Sequence, residues 1–307
     1  MSYYALKAIQ EAKESRAKTL YLGNAGMSGL PDELFELTDL EVLVLSVVGW
    51  YQDTETGENI QVGFFHSYDY NWIHTLNPKM GQLKNLKVLL LCAEKYAWDL
   101  YDLSPLKDLV NLEQLELRRI VNEGILDLSP LKDLVNLRRL RLAELHLDEP
   151  LDLSPLKNLK KLESLSIYCN AVRDLSPLAD LQNLEYLNLD SVRVSDLSPL
   201  KNLKNLRTLG LDCNEIVDLS PLSNLKNLRD LSVHSVRVTD ISPLSNLQNL
   251  EYLGIGMTAV RDLSPLKDLV NLKKIDITWA DSITNPPLAV AEEGIEAIRR
   301  YFKEHIT

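Results

Sequence analysis

The sequence predicts an α/β repeat solenoid, a horseshoe with a parallel concave sheet and short helices or 3₁₀ turns on its convex side. Three observations predict it. The block D-[LI]-S-P-L begins at Asp102, Asp127, Asp152, Asp174, Asp196, Asp218, Asp240 and Asp262, at intervals of 25, 25 and then 22 residues five times. A repeat of that length is one supersecondary unit that buries its apolar face only by stacking on its neighbours. Each block leads into an NLxxLxL pattern, as in Asn111–Leu117, Asn205–Leu211 and Asn227–Val233. There the L-x-L alternation puts both apolar residues on one face of a short strand. Finally, each block contains Ser-Pro, a serine N-cap acceptor before a proline whose missing N–H costs nothing at the first helical position. Apolar residues such as Leu178, Leu181 and Leu184 then recur every three residues, the spacing of a 3₁₀ turn.

Taken in order, the elements begin with a helix over about residues 3–15, whose apolar stripe is Tyr4, Leu6, Ile9 and Ala12. It belongs to an amino-terminal capping segment, 1–17. The repeats run over 18–285, with eleven strand segments centred on Tyr21, Val44, Leu90, Glu116, Arg141, Ser166, Asn188, Gly210, Ser232, Gly254 and Asp276. Asn285-Pro286-Pro287 stops the array. A second capping helix follows in 286–307, with Leu288, Ala291, Ile295, Ile298 and Phe302 on one face. Open ends of a solenoid expose core, so both helices are read as lids.

These motifs resemble the leucine-rich repeat family, and the 22-residue period with D-[LI]-S-P-L is most similar to the bacterial internalin variant. In that family an Asn usually stands three residues after the second strand leucine. Here that column reads Ala25, Val48, Glu94, Ile120, Leu145, Asn170, Val192, Asn214, Val236, Thr258 and Ala280. Valine supplies no hydrogen bond, so these turns are expected to satisfy their backbone through water or a shifted turn.

The flanks carry a further resemblance. The run from Ala5 to Ala12 (ALKAIQEA), Thr19 to Leu22 (TLYL) and Gly29 to Leu34 (GLPDEL) are similar to the start of the repeat domain of bacterial Roco proteins. Asn285-Pro-Pro and Glu293 to Phe302 (EGIEAIRRYF) resemble the segment that joins that domain to its GTPase. The G-x-x-x-x-G-K-[ST] phosphate loop of that family does not occur in these 307 residues, and no nucleotide-binding residue is carried over. The resemblance implies a regulatory repeat domain, with a GTPase module as an intramolecular partner if the parent protein is longer.

Residues 49–80 interrupt the array. Seven of the twenty aromatics fall there: Trp50, Tyr51, Phe64, Phe65, Tyr68, Tyr70 and Trp72. Two readings stay open. The aromatics fold back on their own repeat as a satellite core, or they form a lip that offers anchors to a partner.

Residues between the core leucines point outward from a strand and map the exposed face. Val42, Val44, Val88 and Leu90 make an apolar zone, and Gln114, Glu116, Arg118, Arg139 and Arg141 a mixed, basic band. Tyr168, Tyr186, Asn188, Asp190, Asp212, Asp230, His234, Tyr252 and Trp279 make an acidic-aromatic zone. Tyr, Trp and Arg are the residues most enriched at binding hot spots. Asp190, Asp212 and His234 share one column on successive strands, suited to a partner's Lys or Arg and less to a metal.

Composition limits the alternatives. With 33 Lys+Arg against 44 Asp+Glu the formal net charge is −11, which argues against nucleic acid or an anionic membrane as partner. The amino terminus lacks the apolar stretch of a signal peptide, so a cytoplasmic location is expected. Three cysteines without a CxxC spacing indicate neither a disulfide framework nor a zinc site. No HExxH, GxSxG or glycine-rich phosphate loop occurs, and no cofactor, metal or enzymatic activity is expected. The expected function is recognition of a protein partner on the concave face by Arg118, Arg139, Arg141, Tyr168, Tyr186, Asp190, Asp212, Asp230, His234, Tyr252 and Trp279. The alternative is a secreted, internalin-like adhesin that binds a host surface protein.

Overall fold

The structure is a computed structural model and describes residues 2–46, 50–52, 56, 58–61, 71–92, 100, 102–119, 121–122, 125–213 and 215–305, with the side chains of Trp50, Val121 and Asn122 excepted. The chain divides into two compact units, Met1–Leu162 and Glu163–Thr307. Both are stacks of strand-and-3₁₀ repeats with parallel sheets, the fold class expected, and every one of the eleven expected centres lies inside a strand.

The first unit opens with α1 (Tyr3–Ser15), which buries Ala5, Ile9 and Ala12 and has Ser2 as its N-cap. Strands β1 (Thr19–Tyr21) and β2 (Val42–Val44) precede a hairpin of β3 (Trp50–Gln52) and β4 (Asn59–Gln61). Then come β5 (Val88–Cys92), β6 (Gln114–Arg118), the short β7 (Val121–Asn122) and β8 (Arg139–Leu147). The parallel order is β1-β2-β5-β6-β8. Three residues more than the 22-residue repeat are inserted after the strand core in this region. They form a second rung, Val121 opposite His146 and Asn122 opposite Leu147.

The second unit holds β9 (Ser164–Cys169), β10 (Tyr186–Asp190), β11 (Thr208–Asp212), β12 (Asp230–His234), β13 (Tyr252–Gly254) and β14 (Lys274–Asp276), parallel and in chain order. Two short helices close it, α2 (Leu288–Glu292) and α3 (Ile295–His305). One helix was expected here. Gly294, at φ +99°, breaks it in two. The Arg299 guanidinium of α3 donates to the carbonyls of Leu269 and Leu272, satisfying acceptors of the last repeat.

The repeat consensus has a physical part for each residue. Leu178, Leu181, Leu184, Leu187 and Leu189 of one repeat are wholly buried, and burying each contributes about 1.5–3 kcal/mol before entropy is subtracted. The Asp of D-[LI]-S-P-L is the acceptor at the 3₁₀ start. At Asp196 the carboxylate accepts the Ser198 N–H at 2.8 Å and its hydroxyl at 2.9 Å. The sequence reading gave that role to the serine. Instead, serine is the first residue of the turn and donates twice to the Asp two positions earlier, an Asx-turn geometry.

An asparagine ladder does exist, in a column other than the family's. The Asn that opens NLxxL donates its amide to a carbonyl of the preceding repeat: Asn111 to Lys84, Asn136 to Val110, Asn205 to Gln182, Asn227 to Lys204, Asn249 to Lys226 and Asn271 to Gln248. These bonds occupy carbonyls that the strands and turns leave over.

The turn beyond each strand takes two forms. At the second residue past the inner strand apolar, Asn24, Arg119, Glu144, Ser191, Met257 and Trp279 have left-handed φ of 51–58°. In the same column Cys169, Cys213 and Ser235 lack positive φ and are buried. There, Ser235 Oγ donates to the Ile216 carbonyl at 2.8 Å, and Cys213 Sγ reaches the Leu189 carbonyl at 3.6 Å. The expected shifted turn is therefore a choice. In one form the side chain folds in against backbone groups, and in the other the backbone turns left-handed and the side chain points out, except at Asn24, which stays buried.

Candidate interaction surface

In the second unit the outward residues stand in three registered rows. The first is Ser164, Tyr186, Thr208, Asp230, Tyr252 and Lys274. The middle is Ser166, Asn188, Gly210, Ser232, Gly254 and Asp276, and the third is Tyr168, Asp190, Asp212 and His234. Neighbours in a row sit about 4.8 Å apart along the hydrogen-bonding direction. Tyr168 and Tyr186 are 41% and 39% exposed, and Trp279, held outward by its left-handed turn, is 70% exposed. Asp212 and Asp230 are exposed, while Asp190, His234 and Tyr252 are half-buried.

The middle row is low because two of its members are glycine. A Cβ on Gly210 would lie 2.1 Å from Asn188 Oδ1, so the Asn188 amide lies across it. A Cβ on Gly254 would meet Ser232 Oγ at 3.1 Å and Tyr252 Oη at 3.2 Å. Tyr252 thus leans over the sheet, its hydroxyl near Ser232 and Asp276, and burial raises its pKa above the usual tyrosine range.

Electrostatically this face differs from its surroundings. At the strand entrances charges pair from repeat to repeat: Arg207 with Glu185 at 3.4 Å, and Arg229 and Lys273 with Glu251 at 3.4 and 2.5 Å. On the face itself Asp190, Asp212 and Asp230 have no ion pair among the described residues. Partial burial raises the pKa of Asp190; Ser191, donating at 2.9 Å, opposes this, and neighbouring Asp212 adds to it. Beneath them the Cys213 thiol is pushed up to about 12 by burial and by those two carboxylates, and Cys169 is raised by burial. Neither is primed as a nucleophile.

The first unit presents a different picture. Tyr51 of the hairpin is buried with Val42, Val44, Val88 and Leu90, and Tyr21 and Ile60 pack against that cluster. Tyr51 and Tyr21 hydroxyls lie 3.3 Å apart, and the Gln52 N–H donates to Gln114 Oε1 at 3.2 Å. The apolar zone read as open surface is therefore covered, and Tyr51 belongs to a satellite core, since apolar outward columns gain by excluding water. Trp72 is half-exposed, with its backbone N–H bonded to the Met27 carbonyl. Phe64, Phe65, Tyr68 and Tyr70, and the side chain of Trp50, lie outside the described residues.

The basic band is internally engaged. Glu144 accepts from Arg118 Nε at 2.8 Å and Nη2 at 2.6 Å and from Arg119 Nε at 2.6 Å. These donors outweigh burial and hold the Glu144 carboxyl below its usual range. Arg141 Nε stands 3.5 Å from Glu116. Glu116 is itself buried, and burial raises its pKa against the pull of Arg141 and Arg118. Among the described residues Arg139 makes no such ion pair.

Among the described residues no group of three or more His, Cys, Asp or Glu is placed to hold a metal ion, and no helix is long and apolar enough to cross a membrane. Sequence reasoning missed Met257. It is 46% exposed beside Trp279, and both share the left-handed turn. The signal was available, because an apolar residue where neighbouring repeats place Ser or Cys is unusual.

Comparisons with known proteins agree with this architecture. The family described as Leucine Rich repeats (2 copies) matches residues 182–224. The structure of an internalin (inlF) from Listeria monocytogenes is 26% identical, with a TM-score of 0.68 over 90% of this chain and 80% of that one. An internalin C2 (inlC2) from the same organism is 29% identical, with a TM-score of 0.55 over 65% of this chain and 83% of that one. The functional domain of InlJ from Listeria monocytogenes, which includes a cysteine ladder, is 18% identical with a TM-score of 0.66, covering 92% and 60% of the two chains. A search of curated protein sequences returned no match.

Proposed function

We propose that this leucine-rich-repeat chain is a non-enzymatic recognition module that binds a protein partner on the outward face of β9–β14. One observation supports this reading above the others: Tyr168, Tyr186 and Trp279 stand exposed among carboxylates on a rigid, registered sheet. Aromatic anchors already fixed by their scaffold lose little entropy on docking. Arg139 and Arg141 of the first unit are proposed as additional contacts, as is Trp72.

Two settings are proposed for that recognition. In one, the flanking motifs make the chain a cytoplasmic, Roco-like regulatory repeat domain acting on a GTPase module. In the other, the similarity to inlF over 90% of the chain favours a secreted adhesin that binds a host surface protein. Fractionation of the producing cell separates the two settings.

The recognition itself is tested by a pull-down with the chain and a variant carrying Tyr186→Ala, Tyr252→Ala and Trp279→Ala. Capture by the parent and loss by the variant supports the reading. Equal capture by both moves the binding site off this face.

A further inference from the structure

We infer that the segment docked on this face is extended and basic, its Lys or Arg side chains seated between the tyrosines and the aspartates of β10–β13. The inference deepens the proposed function and rests on it.

Charge complementarity carries the argument. Asp190 and Asp212 face each other in register, and Asp230 stands in the first row three residues before the inner valine of β12. Like charges directly opposite on a sheet are destabilising. Elsewhere this protein pairs its acids across strands, as with Glu185, Glu251 and Glu144. Among the described residues no Lys or Arg within ion-pair distance answers Asp190, Asp212 or Asp230. The nearby His234, register partner of Asp212, attracts the Asp190 carboxylate less than burial and Asp212 oppose its charge. A docked guanidinium or ammonium would relieve the repulsion and form charge-assisted hydrogen bonds.

The aromatic rings point to the same chemistry independently. Tyr168 is the register partner of Asp190, and Tyr252 that of Asp230. A ring face next to a carboxylate attracts a cation from two sides. The protein already shows one such contact, for Lys274 Nζ lies 5.6 Å from the centroid of the Tyr252 ring.

The relief of the face sets the shape of the occupant. With Asn188 lying flat over Gly210 and Tyr252 leaning over Gly254, the middle row rises little above the sheet. It is bordered by Tyr186 and Asp230 on one side and by Asp190, Asp212 and His234 on the other. From β10 to β14 the row spans four strand spacings, about 19 Å, the reach of about six extended residues. Alternate side chains of such a segment would then address the two bordering rows.

The experiment is selection of a random peptide library on the full chain, followed by affinity measurements of the enriched peptides. The probes are those peptides and charge-reversed copies with Glu in place of Lys and Arg. Enrichment of Lys and Arg is expected, with binding weakened about tenfold by Asp190→Asn with Asp212→Asn, weakened again by added salt, and absent for the Glu copies. Peptides that need Tyr186 and Trp279 but ignore the aspartates overturn this inference and leave the proposed function standing. Peptides indifferent to both sets of substitutions, or no enrichment at all, overturn both. Circular dichroism of the Asn variant checks that it stays folded, as near-isosteric replacement of one exposed and one half-buried carboxylate should allow.

Discussion

Asp190 of β10 and Asp212 of β11 occupy the same outward position on adjacent parallel strands, with Ser191 hydrogen-bonded to the first of them. This proximity has a cost in the free protein, because two carboxylates about 5 Å apart repel through a partly buried environment.

The cost is measurable. Asp190→Asn should stabilise the second unit by a few tenths of a kcal/mol at pH 7, the range of cross-strand charge effects. The folded-state pKa of Asp190 lies above the ordinary carboxylate value, chiefly through burial. Its ionisation therefore opposes folding above that raised pKa, and the penalty disappears as pH falls below the unfolded value. Urea melts of parent and variant should differ at pH 7 and converge near pH 3. A constant difference across that range would contradict the assignment.

The repeat-opening aspartates show the opposite sign. Asp218 accepts the Ser220 N–H at 2.8 Å, and hydrogen bonds from Ser220 hold its carboxyl below the usual range. Its contribution is present above the unfolded pKa and is lost as pH falls through the depressed folded one. Asp218→Ala should cost about 0.5–1 kcal/mol at neutral pH, the solvent-discounted value of a lost cap, read as a lower urea midpoint. The loss should shrink in acid.

Asn227 tests the ladder. Replacing it with Asp keeps the shape but removes the amide that donates to the Lys204 carbonyl at 2.8 Å. A loss of about 1 kcal/mol is expected in equilibrium unfolding, the net worth of one hydrogen bond. Asn224→Asp, in the turn just after the 3₁₀ helix of the same repeat but outside the ladder column, should leave the midpoint within about 0.5 kcal/mol of the parent.

Tyr51→Ala should uncover Val42, Val44, Val88 and Leu90. The expected destabilisation of the first unit is about 3 kcal/mol, as for other large-to-small changes of buried aromatics, together with increased binding of a hydrophobic dye. Unchanged dye fluorescence would show that the hairpin does not cover this patch.

The strands were legible because L-x-L alternation recurs at fixed intervals, so Ser166, Asn188 and Gly210 could be placed without a structure. The register rows followed from the same count. The hairpin around Tyr51 was not legible, since it occurs once and its pairing partner, Ile60, carries no repeat signal. The asparagine ladder was overlooked for a different reason. Asn205 and Asn227 stand at the strand start, not in the turn column where the leucine-rich-repeat resemblance places an asparagine. Which turns place Cys213 inside and Trp279 outside depends on backbone dihedral choice, which neighbouring residues decide cooperatively and no single position announces.

The central claim is that a protein partner grips the open face of β9–β14. Hydroxyl-radical footprinting of the chain with and without the captured partner tests it most directly. Protection of Tyr168, Tyr186 and Trp279, with Tyr3 and Tyr4 of α1 left as reactive as before, is the result this account predicts. Protection confined to Tyr3, Tyr4 or Trp72, with Tyr186 and Trp279 still fully reactive, would contradict it.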